Sequence, residues 1–169
     1  FYEREYVRPE RTRLRVNKIE YQKDIRPLQG TATTGVHGPG ARYEIDATIA
    51  DIYLLSADRQ KIIGRPTLYV VVDVYSRLIA GFYVGLENPS YVTAMLALVN
   101  AMIDKSQLCQ SFGYDIEPED WPSIGLPDAV LADRGELLGH QIEYLEQAFG
   151  VRIENTPPYR GDAKGIVER

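Results

Sequence analysis

Three acids stand in three different settings: Asp46 inside an apolar, strand-like run, Asp133 directly after another, and Glu168 on a helical segment near the C-terminus. Aspartate is depleted from strands, and a carboxylate among apolar neighbours is costly unless it is paired or binds a cation, so Asp46 between Ile45 and Ala47 asks for a reason. Phosphoryl transfer through two metal ions needs carboxylates, delivered by separate rigid elements, that hold hard cations about 3.5 to 4 Å apart. If they converge, Asp46, Asp133 and Glu168 would form such a site, suited to cutting and joining nucleic-acid backbone. Like charges about 4 Å apart repel by about 4 kcal/mol at an effective dielectric of 20, so the cluster implies bound Mg²⁺ or Mn²⁺. Each acid also has a plainer reading: Asp46 on a solvated sheet face, Asp133 as a turn or cap residue, Glu168 on a solvated helix face.

The elements that must position these acids follow from periodicity. From Tyr43 the residues alternate, with Ile45, Ala47 and Ile49 on one face and Glu44, Asp46 and Thr48 on the other, as in a half-buried strand. Residues 67–75 and 78–86 are β-branched and aromatic, and Ser76-Arg77 between them predicts a hairpin. Asn88-Pro89 then offers a cap and a first-turn proline to a helix striped by Tyr91, Ala94, Met95, Leu98 and Met102. Residues 104–126, with Asp115, Glu117, Glu119, Asp120 and two prolines, read as an irregular insertion outside the core. A short strand over 128–132 puts Asp133 at its carboxyl edge, where ligands bind in α/β sheets. Leu138, Ile142, Leu145 and Phe149 stripe a helix that Gly150 should end, residues 151–155 make a fifth strand, and Asp162 can cap a last helix carrying Glu168. The order β-β-β-α-β-α-β-α predicts an α/β fold of the ribonuclease H-like kind: a mixed five-stranded sheet, three strands antiparallel and then parallel ones, flanked by helices.

The 169 residues, 44% of them apolar, suffice for one domain with a sizeable core. We expect residues 1–40 to form a basic arm and a Gly-rich linker, with a short surface helix over 11–24, and residues 41–169 to form the core. The chain opens on Phe1 and stops one residue after Glu168, which reads as a fragment of a larger protein. The single Cys109 excludes an internal disulfide, and two histidines leave no soft-ligand cluster for structural zinc, so a reducing, cytoplasmic setting fits. The net charge of −5 is segregated: residues 1–26 carry eight Lys/Arg against five Asp/Glu, leaving −8 on the rest. An acidic core is compatible with nucleic acid, because divalent cations invert the local sign and the arm can contact phosphates.

Other residues compete for attention. Asp73 also interrupts an apolar strand, but its place before the Tyr75-Ser76-Arg77 turn suggests that it orders the hairpin, through Arg77. Asp51 and Asp58 fall in what reads as an extended loop with Arg59 and Lys61, as solvated charge. Twelve tyrosines raise the possibility of a tyrosine recombinase, but His37 and His140 sit near no Arg-rich motif; His140 reads as a surface residue and His37 as part of the linker.

Four ordered segments, YEIDATI (43–49), VVVDVYSRLIAGF (70–82), LADRGE (131–136) and PPYRGDAKGIVER (157–169), resemble the integrase catalytic core of D,D,E transposases and retroviral integrases, within it the TnsB/TniA and Mu-type branch of bacterial transposases. The resemblance implies a metal triad of Asp46, Asp133 and Glu168 binding two Mg²⁺ ions, on strand one, strand four and the final helix. It implies a DNA transposase core that hydrolyses a phosphodiester at the element's end and transfers the freed 3′-hydroxyl into target DNA. It also implies a homo-oligomer on DNA, other transposition proteins such as an ATPase regulator, and a bacterial cytoplasmic location on the nucleoid. Arg134 departs from the asparagine usual in retroviral integrases. Arg134, Tyr159, Arg160, Lys164 and Arg169 are candidate DNA contacts, through phosphates for the cations and base stacking for Tyr159. Two alternatives stay open: a hydrolysis-only nuclease of the same fold, and a non-catalytic assembly or DNA-binding module.

Overall fold

Alternating and β-branched runs build the expected strands. The computed structural model describes residues 16, 17, 33, 35–132, 146, 147 and 149–155. Strand β1 (Tyr43–Ile49) leads into a short hairpin, β2 (Leu54–Leu55) and β3 (Ile62–Gly64), and then into β4 (Thr67–Asp73) and β5 (Ile79–Gly85). Helix α1 (Tyr91–Met102), helix α2 (Lys105–Ser111), β6 (Ala129–Ala132) and β7 (Arg152–Asn155) follow. The main sheet runs β5-β4-β1-β6-β7. Strand β4 is antiparallel to both of its neighbours, β1 and β5, and β6 and β7 run parallel to β1. This mixed order is the ribonuclease H-like arrangement that the pattern predicts.

One sheet face carries the core. Tyr43 and Ile45 of β1, Tyr69 and Val71 of β4, and Val130 and Ala132 of β6 pack with Ala94, Ala97, Leu98 and Ala101 of α1. The alanine stripe brings the helix backbone close to β5, and Gly81 completes the approach: a Cβ there would lie 2.5 Å from the Ala97 carbonyl oxygen.

Three local expectations need correction. The cap of α1 is Ser90 and not Asn88: its extended backbone lets its hydroxyl accept from the Thr93 N–H at 3.3 Å, while Thr93 Oγ1 accepts from the Ser90 N–H at 3.0 Å. The Tyr69 hydroxyl, accepting from the same Ser90 N–H at 2.9 Å, fixes this start against β4. Residues 51–66 are not simply an extended loop, since they form the β2–β3 hairpin.

The 104–126 segment is also more ordered than its composition suggests. Its buried Lys105 donates to the carbonyls of Asn100, Ala101 and Ile103 at 3.0, 3.4 and 2.7 Å, closing the C-terminus of α1 where the helix leaves its acceptors unpaired. Trp121 stacks on Phe82 with ring centroids 6.4 Å apart and donates from Nε1 to the Ile79 carbonyl at 2.7 Å. Further along β5, Asn100 Oδ1 accepts from the Phe82 N–H at 3.1 Å.

Gly150 ends a helical segment as expected, with φ of 68° and its N–H bonded to the Glu146 carbonyl at 3.0 Å. The expected helix over 162–169 lies outside the described residues, as does that over 11–24 apart from residues 16 and 17, which are not helical. Among the described residues no helix is long and apolar enough to cross a membrane.

Candidate active site

Strand β1 is the middle of five, hydrogen-bonded to β4 on one side and to β6 on the other. Its alternation sends Tyr43, Ile45 and Ala47 toward α1, which leaves Glu44 and Asp46 on the opposite face. Asp46 is half-buried and pairs in register with Val70 of β4. A carboxylate here is held by a backbone that cannot easily move, as a metal ligand or catalytic acid requires.

All four residues of β6 are buried, and β6 sets Val130 opposite Tyr43 and Leu131 opposite Glu44. Asp46 stands two residues past the Glu44–Leu131 pair, toward the carboxyl end of β6. Asp46 is the one acid of the three that lies among the described residues. Asp133, Glu168, Arg134, Tyr159, Arg160, Lys164 and Arg169 lie outside them, as do His140 and Asp162. Among the described residues no three of His, Cys, Asp and Glu are grouped so as to hold a metal ion.

Sequence reasoning missed Glu44. It shares the face of Asp46 and has no exposed surface, lying between Val72 and Leu131 on the neighbouring strands. Its two-residue spacing from Asp46 marked the shared face, but its burial comes from strands that the local pattern does not place beside it. Farther from the Asp46 end, Arg42 Nε pairs with Glu154 of β7 at 3.0 Å and ties the start of β1 to the sheet's edge.

Asp73 orders the hairpin, though not through Arg77. Its carboxylate accepts from the Gly40 N–H at 3.0 Å, the Ser76 N–H at 2.8 Å and the Ser76 hydroxyl at 2.5 Å. The Arg77 contribution is its backbone, which adopts φ of 67° and donates to the Asp73 carbonyl at 2.9 Å. Burial, and then the Asp73 charge, push the Tyr43 phenol above its ordinary pKa, with a hydrogen bond to Ser123 opposing them. Asp51 pairs with Arg65 at 3.1 Å, and Asp58 is held below the usual carboxylate range by bonds from the Ser56 hydroxyl and the Gln60 N–H.

A family model described as the TnsB C-terminal domain matches residues 44–169. This chain belongs to the TnsB C-terminal domain family. It is 62% identical over 169 residues to the Tn7 transposition protein TnsB of Escherichia coli, covering 99% of this chain and 24% of that protein. It is 30% identical over 132 residues to the transposase for transposon Tn552 of Staphylococcus aureus, covering 78% of this chain and 25% of that one. The chain thus spans about a quarter of the length of these relatives. Among solved structures it is similar to a chain of the simian T-cell lymphotropic virus intasome bound to the PP2A regulatory subunit B56 gamma, with TM-score 0.49, 16% identity and coverage of 78% and 37% of the two chains. It is also similar to the catalytic core domain of BIV integrase, with TM-score 0.41, 17% identity and coverage of 77% and 63%. The chain is a transposase-type, TnsB-like region built on the mixed five-stranded sheet described above.

Proposed function

We propose that this TnsB-family chain is the catalytic core of a DNA transposase, in which Asp46, Asp133 and Glu168 hold two Mg²⁺ ions, with Mn²⁺ able to substitute. The observation that carries the reading is the parallel register of β1 and β6. Asp46 is two residues past Glu44, Asp133 is two residues past Leu131, and Glu44 and Leu131 are partners. Strands continued in step would bring positions 46 and 133 abreast with side chains of the same parity. The donor chemistry fits: Asp46 offers hard carboxylate oxygens from a central strand, as Mg²⁺ prefers. The family match running through residue 169 supports Glu168 as the third ligand.

Bound cations would supply Lewis acidity at the phosphate and a more acidic attacking water. The chain's own share is to hold and orient. Asp46 and Asp133 would share one cation, and Glu168 would help hold the second. Hydrolysis at the element's end frees a 3′-hydroxyl, and that hydroxyl then displaces a phosphodiester bond in target DNA. Both steps are in-line displacements, so no Ser, Cys or Tyr nucleophile is required. Arg134, Arg160, Lys164 and Arg169 would contact phosphates and Tyr159 an unpaired base, within a homo-oligomer on DNA that works with other transposition proteins, an ATPase regulator among them.

The test is Asp46→Asn in the full-length protein, assayed for Mg²⁺-dependent joining of paired element ends. We expect folding to persist by circular dichroism and joining to fall on the order of 1,000-fold, the loss of several kcal/mol of transition-state stabilisation. Undiminished joining would assign the chain to a non-catalytic assembly role. Cleavage without joining in the unsubstituted protein would make it a nuclease of the same fold.

A further inference from the structure

The β2–β3 hairpin extends from the end of β1 past Asp46, and nothing in the mechanism uses it. Its loop is closed by the Ser56 N–H to the Lys61 carbonyl at 2.8 Å, and the Arg59 N–H donates to the Ser56 carbonyl at 2.7 Å. Arg59 itself has φ of 58°, a left-handed backbone that glycine or asparagine adopts more cheaply.

Charge at the tip is net positive, two cations against one anion outside any ion pair. Asp51 pairs with Arg65, while the exposed Asp58 carboxylate keeps its charge and accepts from Ser56 and Gln60. Arg59 and Lys61 are both exposed and make no ion pair among the described residues. Beneath these cations the stem exposes large apolar side chains, Tyr53 and Ile62 each at 67%, with Leu55 and Ile63 beside them. A two-stranded hairpin is marginal in water by itself, and this one shows its apolar surface to solvent.

We propose that the β2–β3 hairpin is a contact element for duplex DNA, with Arg59 and Lys61 on backbone phosphates and the apolar stem against sugar and base edges. A two-stranded β-ribbon is one of the elements that fits the major groove, where apolar side chains can meet thymine methyl groups. Phosphates are the complement of the tip's free cations, and the hairpin lies at the Asp46 end of the sheet, the end to which the scissile strand must come. The inference rests on the reading of the chain as acting on DNA and adds a surface to it.

Arg59→Gly provides the test, because it removes the cation while relieving the backbone. Arg77→Gly is its control: Arg77 has the same left-handed backbone, but it sits at the other end of β1, about 20 Å away. Binding of the full-length protein to a labelled mixed-sequence duplex would be followed by fluorescence anisotropy across a salt series. Arg59→Gly and Lys61→Ala should each reduce the slope of log K against log salt by about 0.9, roughly an eightfold change between 1 M and 0.1 M salt. Arg77→Gly should leave the slope as it was, and the melting temperature of Arg59→Gly should be unchanged or higher. Wild-type slopes in both Arg59→Gly and Lys61→Ala would overturn the proposal and leave a protein partner as the occupant of the stem, with the proposed chemistry intact. Loss of joining in Asp46→Asn together with those unchanged slopes would separate the two readings, whereas a wild-type protein that binds no duplex would sink both.

Discussion

Gly81→Ala isolates the closest approach to backbone among the described glycines. The added Cβ would lie 2.5 Å from the Ala97 carbonyl oxygen, 2.7 Å from the Ala101 nitrogen and 2.9 Å from the Ala101 Cα. All three are backbone atoms of α1, so no side chain can swing aside, and the helix must retreat from β5 by about 1 Å to restore ordinary contact of about 3.5 to 4.0 Å. Overpacking of this kind costs about 1 to 3 kcal/mol, and rigid backbone puts Gly81→Ala near the top of that range. The smaller entropy of the unfolded alanine chain returns about 0.4 to 1 kcal/mol. The expected net loss is about 2 kcal/mol, a drop in melting temperature on the order of 5 to 8 °C. Gly85→Ala supplies the contrast. There the new Cβ meets the ends of the Tyr83 and Glu87 side chains, which can rotate at the expense of one exposed hydrogen bond of 2.9 Å. Its cost should stay within about 0.5 kcal/mol. Urea titrations followed by circular dichroism measure both. Equal stability of Gly81→Ala and wild type, or equal losses at the two glycines, would refute the claim that backbone contact sets the penalty.

Other outcomes follow from the same structure. Asp73→Ala strands the Gly40 N–H, the Ser76 N–H and the Ser76 hydroxyl, and should destabilise by about 3 kcal/mol in urea titration, with Ser76→Ala costing clearly less. Lys105→Met removes the donor to three carbonyls at the end of α1 and should cost about 2 kcal/mol, with hydrogen exchange accelerating first in the last turn of that helix. The folded-state pKa of Tyr43 is raised above its ordinary 10.0, so its contribution is fully present below that value and is lost as pH rises through the higher folded pKa. Tyr43→Phe should therefore flatten the decline of stability above about pH 10, read from denaturation midpoints against pH.

Much of the sheet was legible because its signals are local. Alternation in 43–49 and the β-branched runs around Ser76-Arg77 mark strands whatever their neighbours, and three antiparallel strands followed by strand-helix alternation leave few ways to arrange them. What was illegible depended on distant partners. Ser90 displaces Asn88 as the cap because Thr93 and the Tyr69 hydroxyl answer it, and Tyr69 comes from another strand. The acids and prolines of 104–126 disguise a segment whose two anchors, Lys105 and Trp121, reach carbonyls of α1 and β5. Burial of Glu44 depends on Val72 and Leu131, neither near it in sequence. For the candidate site, strand periodicity placed Asp46 on the face opposite Ile45 and Ala47, but the proposed convergence with Asp133 and Glu168 is a long-range relation that no local pattern encodes.

An outermost strand ordinarily presents a row of open amide and carbonyl groups that a foreign strand can copy. On β5, the Phe82 amide is taken by Asn100 and the Ile79 carbonyl by Trp121. Copies of this chain therefore cannot zip together by extending the sheet through that half of β5. Edge-to-edge pairing of two copies is thereby turned toward the far edge of the sheet, where β7 is only four residues long and offers a short ladder.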